Sequence, residues 1–103
     1  MTPTATLAEI VRFRLVPGAD PAALLSAAKA TDAWLAARPG YIRRSLSQGS
    51  DAAWSDVVLW SDLATAQAAA AALMADPVAA PFLSLIDPAS IDMRHEQVHM
   101  TRP

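Results

Sequence analysis

Apolar and polar side chains alternate along several short stretches of the chain, which is the spacing of β-strands. Three such stretches run from Leu7 to Leu15, from Tyr41 to Gln48 and from Trp54 to Trp60. A fourth, from Ser90 to Met100, alternates less regularly. Turn-forming residues such as Gly49-Ser50-Asp51 separate the strands. The pattern therefore predicts four strands.

Two of the intervening stretches place apolar residues at helical spacing. Asp20-Pro21 starts the first helix, because an aspartate side chain caps free backbone N–H groups and proline fits the first turn. Arg38-Pro39-Gly40 ends this helix. The second helix begins at Ser61 or Asp62 and continues through an alanine-rich segment to about Ala75. A short helical segment follows, and its apolar members are Phe82, Leu85 and Ile86.

The resulting order is strand, helix, strand, strand, helix, strand, which is the βαββαβ order of ferredoxin-like α+β folds. We therefore expect residues 1–103 to form a single domain, with a four-stranded antiparallel sheet and both helices on one face. The other face then needs a cover, and we expect a second copy of the chain to supply it. The residues assigned to this bare face are Trp54, Val58, Trp60, Ile91 and Met93.

Composition excludes several classes of function. The net charge of −2 offers no basic field to attract a nucleic acid. The absence of cysteine excludes disulfides, thiolate metal sites and cysteine nucleophiles. No apolar stretch approaches the roughly 20 residues that span a bilayer, and Met1 to Thr6 lacks the basic residues that open a secretory signal. We expect a cytoplasmic protein with neither nucleic-acid nor membrane partners.

Over about Leu7 to Met100, the chain resembles the antibiotic biosynthesis monooxygenase-like proteins of the dimeric α/β-barrel superfamily. The motifs that carry the resemblance follow the strands and helices in order. They are Val16-Pro17-Gly18, Arg38-Pro39-Gly40-Tyr41, the segment from Trp54 to Asp62, Asp76-Pro77, and Phe82.

The resemblance implies a homodimer whose two sheets face each other, with a pocket in each subunit. Some members of this group oxidise polycyclic aromatic substrates with molecular oxygen and no cofactor, whereas others bind and degrade haem. Haem-degrading members use an asparagine on the first strand, a tryptophan at the end of the third and a histidine in the second helix. This chain matches only the tryptophan, at Trp60; it has no asparagine, and Ala69 and Ala70 stand where the histidine would be. We therefore expect no cofactor.

The segment His95-Glu96-Gln97-Val98-His99 matches the H-E-x-x-H signature of zinc peptidases. On a helix, its two histidines would lie one turn apart and could chelate zinc. On a strand, they would share a face but stand roughly 13 Å apart, which is too far to bind one ion. Because we expect a strand here, we predict no metal site.

Seven residues are candidates for pocket chemistry. An imidazole can transfer protons near neutral pH, a guanidinium can hold an oxyanion, and large apolar side chains can pack on an aromatic ligand. The candidate catalytic residues are His95, Arg43 and Tyr41. The candidate substrate-binding residues are Trp60, Arg12, Trp54 and Met93.

Most of these candidates also have a purely structural interpretation. His95 would be a polar residue at the dimer seam, Trp60 a core or interface residue, and Trp54 a residue packed at the rim. The strand arginines would be solvated or paired with Glu9, Asp56 or Glu96. Two functions therefore stay open. The first is a cofactor-independent monooxygenase acting on a hydrophobic or aromatic small molecule, and the second is a non-catalytic dimer that binds a ligand or serves as an accessory protein.

Overall fold

A four-stranded antiparallel sheet forms the centre of the computed structural model, which describes residues 6–102. The strands are β1 (Leu7–Phe13), β2 (Tyr41–Gln48), β3 (Trp54–Trp60) and β4 (Asp92–Gln97). They lie in the order β2-β3-β1-β4, so β2 and β4 are the edges. The helices are α1 (Pro21–Ala36), α2 (Leu63–Met74) and the short α3 (Ala80–Ser84), with 3₁₀ turns at Pro77–Ala79 and Pro88–Ser90. The predicted ferredoxin-like βαββαβ fold is confirmed.

Aspartate side chains set the starts of the helical segments. Asp20 accepts a hydrogen bond from the backbone N–H of Ala22 at 2.9 Å, and Asp62 accepts one from Thr65 at 2.8 Å. These bonds satisfy N–H groups that have no partner within the helix. Asp76 and Asp87 cap the two 3₁₀ turns in the same way.

The first and last strands are shorter than predicted. β1 ends at Phe13, and Leu15 forms only an isolated bridge with Ile86. β4 runs from Asp92 to Gln97, because the turn at Pro88–Ser90 occupies the start of the predicted strand. The strand interpretation of the His95 segment is confirmed, since His95 lies within β4.

Gly40 allows the chain to turn from α1 into β2. Its φ is +82°, a left-handed conformation that a side chain rarely permits. A Cβ at this position would also fall against the side chains of Thr65 and Ser61 at the start of α2. Glycine at position 40 therefore allows the α1–β2 connection to lie directly against the β3–α2 connection at one end of the sheet.

Both long helices cover one face of the sheet, which we call the inner face. Directly opposed residues of antiparallel strands share a face, and the pairs Leu7–Trp60, Glu9–Val58, Val11–Asp56 and Phe13–Trp54 all lie on this one. One buried cluster on it gathers Phe13, Trp54, Leu24, Phe82 and Ile86. The other gathers Leu7, Trp60, Leu35, Ala66 and Ala69.

The predicted placement of the large apolar residues on a bare face is wrong. Trp54, Val58 and Trp60 are buried under the helices. Met93 opposes Val11 and so lies on the inner face as well, and Ile91 lines the space under the helices. Alternation shows which residues share a face, but it does not show which face the helices cover. The helices cover the face with the larger apolar area, because its burial stabilises the fold more.

The opposite face of the sheet, the outer face, has a small apolar centre. Ala8 and Ile10 of β1 oppose Leu59 and Val57 of β3 there. On this same face, the edge strands β2 and β4 carry polar and charged residues. These are Arg43, Ser45 and Ser47 on β2, and Asp92, Arg94 and Glu96 on β4.

A β-bulge in β2 separates two residues that simple alternation places together. Tyr41 opposes Trp60, whereas Arg43 opposes Leu59, its neighbour along β3. The extra residue, Ile42, shifts the alternation by one. Tyr41 therefore lies on the inner face and packs edge-on against Trp60, with ring centroids 6.0 Å apart. Arg43 lies on the outer face.

Within residues 6–102, no single helix is long and apolar enough to cross a bilayer. By length and composition alone, α2 and the segment Pro77–Ser84 could do so together, as a pair bent by 80°. Residues of both segments, including Ala66 and Phe82, are buried in the core described above.

Two neighbouring leucines of α1 test the packing of this core. Leu24 is fully buried, and Leu25 is half exposed. We expect Leu24→Ala to lower the free energy of unfolding by about 3 kcal/mol, because it removes buried methyl groups and leaves a void. The matched change Leu25→Ala should cost about 1 kcal/mol or less. Urea unfolding at equal protein concentration measures both, and equal losses would contradict the assigned orientation of α1.

Candidate functional site

A cavity of about 380 Å³ lies between the inner face of the sheet and the helices. Most of its wall is aliphatic or aromatic. The sheet contributes Val11, Phe13 and Val58, and the helices contribute Leu35, Ala70, Leu73 and Phe82. Ligand pockets for small organic molecules commonly measure about 300–1,000 Å³ and are mainly apolar. The cavity therefore has the size and the surface of a small-molecule site.

Three large apolar side chains mark the opening of the cavity. Met74 at the end of α2, Ile91 before β4 and Met93 within β4 all line the cavity and are exposed. The cavity therefore opens between the end of α2 and the β4 edge of the sheet. Methionine side chains adapt to differently shaped ligands, which suits this position.

An arginine network lies at the other side of the cavity, toward β2. The Nε and Nη2 atoms of Arg44 donate to the two carboxylate oxygens of Asp56 at 2.9 and 2.8 Å. Its Nη1 donates to Thr31 Oγ1 at 2.8 Å and to Asp32 at 2.7 Å. The network joins β2 and β3 to α1.

Burial governs the energetics of this network. The side chains of Arg44 and Asp56 are 6% and 12% exposed, whereas Asp32 is 58% exposed. Burial disfavours the charged guanidinium, but the hydrogen bond and charge of Asp56, with a further contribution from Asp32, outweigh it and raise the pKa of Arg44 above its ordinary value. Arg44 is therefore a permanent cation whose charge is already balanced by protein carboxylates.

A second polar pair lies at the cavity near its opening, with one member in the wall. Glu9 of β1 and His95 of β4 are directly opposed, and Glu9 Oε2 lies 2.9 Å from His95 Nε2. Glu9 lines the cavity, and its side chain is only 11% exposed. The pair therefore places a carboxylate and an imidazole beside an apolar cavity.

Of the seven residues proposed from the sequence, two lie at this site. Met93 lines the cavity, and His95 contacts it through Glu9. Trp54 belongs to the core cluster around Phe13, and its side chain does not line the cavity.

The other four residues lie elsewhere. Trp60 and Tyr41 pack together beyond one end of the cavity and are not part of its wall. Arg12 opposes Ser55 on the outer face, and its guanidinium lies 3.8 Å from Asp51. Arg43 is also on the outer face. The sheet therefore separates both arginines from the cavity of the same chain.

The sequence pattern identified Glu9 and Asp56 only as ion-pair partners of the strand arginines, and it singled out neither Arg44 nor Thr31. Glu9 did leave a signal, because it is the one charged residue at the alternate positions Leu7, Glu9, Val11 and Phe13. A charge at a position buried by the fold requires a partner. The partner, His95, is 86 residues away, and no local pattern connects the two.

One buried side-chain polar atom has no hydrogen-bond partner within residues 6–102. It is the indole Nε1 of Trp60, whose side chain is fully buried. A buried donor without an acceptor costs roughly 1–3 kcal/mol. Trp60 therefore contributes packing rather than a hydrogen bond to the inner face.

The donor groups do not suit a histidine-bound haem or a zinc centre. The α2 wall of the cavity presents Ala70, Leu73 and Met74 and no imidazole. His95 is in a strand and His99 lies beyond its end, so the pair lacks the helical spacing of a zinc chelate. No group of three or more potential metal-binding side chains occurs in the described part of the chain.

Comparison with solved structures shows which proteins share this fold. SnoaB from Streptomyces nogalater, a cofactor-independent oxygenase, is 21% identical and superposes with a TM-score of 0.75, covering 97% of this chain and 99% of its own. A Bordetella bronchiseptica protein provisionally assigned as an antibiotic biosynthesis monooxygenase is 14% identical, with a TM-score of 0.81 and coverage of 94% and 100%. A provisionally assigned monooxygenase from Shewanella loihica is 20% identical, with a TM-score of 0.69 and coverage of 97% and 100%.

No family model matches the chain, and no curated protein matches it. At these identities the structural matches establish the fold along nearly the whole chain. The resemblance to antibiotic biosynthesis monooxygenase-like proteins is thus supported at the level of the fold. A shared fold does not determine the chemistry, which depends on the residues of the site.

The two carboxylates on Arg44 give a matched test of its network. Asp56→Ala should lower the free energy of unfolding by about 3 kcal/mol, because it leaves a buried guanidinium without its main partner. Asp32→Ala removes an exposed partner and should cost about 1 kcal/mol or less. Chemical denaturation measures both variants. Equal costs would show that burial does not govern this network.

Proposed function

We propose that this chain is a cofactor-independent monooxygenase that binds an apolar, aromatic small molecule in the cavity under its helices. The observation that carries the proposal is an apolar cavity of about 380 Å³ with Glu9 in its wall and His95 in contact with that carboxylate. The fold shared with SnoaB, a cofactor-independent oxygenase, supports it.

The reaction needs no resident redox group when the substrate itself supplies the electrons. Removal of a proton from an activated ring carbon leaves an anion, which passes one electron to molecular oxygen. The two radicals combine to form a peroxide at that carbon, and loss of water leaves a carbonyl. A CH₂ group and O₂ thus become a C=O group and H₂O. The base belongs in the cavity wall, where Glu9 lies with His95 bonded to it. The apolar walls keep bulk water from the intermediates.

The placement of the candidate residues narrows their roles. Met93 at the opening would contact the substrate, and His95 would act through its contact with Glu9. Trp60, Trp54 and Tyr41 would support the wall from the two core clusters.

The alternative, a non-catalytic ligand-binding dimer, also has an observation in its favour. The cavity's other charged groups, Arg44 and Asp56, are bonded to each other. They therefore offer no free group for chemistry. Turnover separates the enzyme from a ligand-binding dimer, since both require the cavity to bind an apolar ligand. An accessory dimer requires neither turnover nor ligand binding.

A blocked cavity tests the proposed function. Ala70 of α2 lines the cavity, and its neighbour Ala71 is exposed. We expect Ala70→Phe to lower both the binding of polycyclic aromatic quinols and the oxygen consumed with them by about tenfold or more, because the new ring occupies the cavity. The matched variant Ala71→Phe should bind and turn over like the unmodified protein. Binding that depends on Ala70 without any oxygen uptake would favour the non-catalytic alternative, and unchanged turnover in Ala70→Phe would contradict the location of the site.

The outer face supports the further proposal that the protein is a homodimer. Ile10, Val57 and Leu59 are only partly covered by their own chain, and a second sheet would remove them from water. The rim carries both signs of charge, Arg43 and Arg94 with Asp92 and Glu96. In a two-fold symmetric dimer, the positive residues at the edge of one copy can face the negative residues at the edge of the other.

A charge at the centre of the outer face tests this assembly. Val57→Arg should convert the dimer to a folded monomer, because the interface would have to bury an unpaired guanidinium. Ala64→Arg, on an exposed position of α2, should leave the dimer intact. Light scattering at low protein concentration measures the mass, and circular dichroism checks the fold. A monomeric unmodified protein, or a dimeric Val57→Arg variant, would refute this interface.

A further inference from the structure

The four polar side chains of the cavity wall differ in how fully they are bonded. Both carboxylate oxygens of Asp56 accept hydrogen bonds from Arg44. Thr31 Oγ1 accepts one from Arg44 and donates to the carbonyl of Ala28 at 2.7 Å. These three side chains are committed to each other, so a ligand would have to break a bond to engage them.

Glu9 is different. Its Oε2 lies against His95 Nε2, and its Oε1 has no hydrogen-bond partner within residues 6–102. The backbone fixes this arrangement, since Glu9 and His95 are opposed across the β1–β4 ladder. His95 therefore holds one oxygen while the other remains available at the cavity.

The surroundings of Glu9 determine which ligand group would meet it. The neighbouring side chains of the wall are aliphatic or aromatic, so a carboxylate oxygen there is less fully hydrated than it is in water. A donor on the ligand restores a charge-assisted hydrogen bond. An anionic group is repelled by Glu9, and the positive charge of Arg44 is already balanced by Asp56 and Asp32. The cavity therefore favours neutral donors over anions.

We propose that Glu9 is the specificity-determining residue of the cavity, and that it accepts a hydrogen bond from a neutral hydroxyl group on an aromatic ligand. His95 is its positioning residue. This inference rests on the proposed function only in that the ligand occupies the same cavity; it requires no turnover. It selects hydroxylated aromatic molecules over the bare hydrocarbon and over aromatic carboxylates.

Three probes of similar shape test the proposal: 1-naphthol, naphthalene and 1-naphthoate. Equilibrium dialysis at pH 7 measures their affinities for the full chain, with the naphthol neutral and the naphthoate ionised. We expect naphthol to bind tightest, ahead of naphthalene by roughly tenfold or more, since hydrogen bonds to charged groups are strong. Naphthoate should bind weakest.

Glu9→Gln provides the decisive change, because it keeps the shape of the side chain and removes its charge. In this variant, naphthoate should gain about tenfold in affinity and the preference for naphthol should fall to a few-fold. Glu96→Gln is the matched control, since Glu96 lies on the outer face of β4 beside His95. Its affinities should equal those of the unmodified protein. His95→Leu should weaken naphthol binding while leaving naphthalene binding unchanged, because the carboxylate loses its positioning contact.

The outcomes separate this inference from the proposed function. The role of Glu9 is refuted if the unmodified protein binds naphthoate as tightly as naphthol, or if Glu9→Gln leaves the order of the probes unchanged. The proposal that the cavity is the ligand site is not affected by either result. If none of the probes binds, or if Ala70→Phe leaves their binding unchanged, the cavity is not the site and both proposals fail.

Discussion

Side chains of an antiparallel strand alternate between two faces, and both long helices of this chain pack against the same face of its sheet. This one-sided packing decides which residues can meet. The cavity, the Arg44 network and the Glu9–His95 pair all lie on the inner face. The outer face keeps an apolar centre around Ile10 and Val57. The cavity and the surface of the proposed dimer therefore lie on opposite sides of the sheet.

The alanine-rich sequence of α2 accounts for the space between the sheet and the helices. Ala66 and Ala69 pack into the cluster around Trp60, so the helix lies close to the sheet there. Ala70 faces the cavity, where a larger side chain would fill part of the volume. A void forfeits dispersion contacts with the groups that line it. The buried cluster around Trp60, which includes Ala66 and Ala69, holds α2 in place despite this loss.

Arg44 and Glu9, two charged residues of the cavity wall, differ in how their buried charges are stabilised. Arg44 is enclosed by acceptors from β3 and α1, and its bonds fix the spacing between the sheet and that helix. Glu9 has a single partner on an edge strand near the opening. Because its hydrogen-bonding groups are occupied by protein acceptors, Arg44 serves to link the sheet to α1. Glu9 has only one bonded oxygen and is therefore able to bind a ligand group as well. The difference lies in the number of partners, not in the charge itself.

The sequence by itself determined the order and much of the extent of the elements. Asp20 and Asp62 cap helices through bonds to residues two and three positions away, and strand alternation is equally local. Only the tertiary structure decided which face the helices cover, that the bulge after Tyr41 turns Arg43 away from the cavity, and that Glu9 meets His95. These outcomes depend on contacts between residues far apart in the chain, and on which packing buries the most apolar area. A local sequence pattern indicates neither the long-range contacts nor the packing that buries the most apolar area.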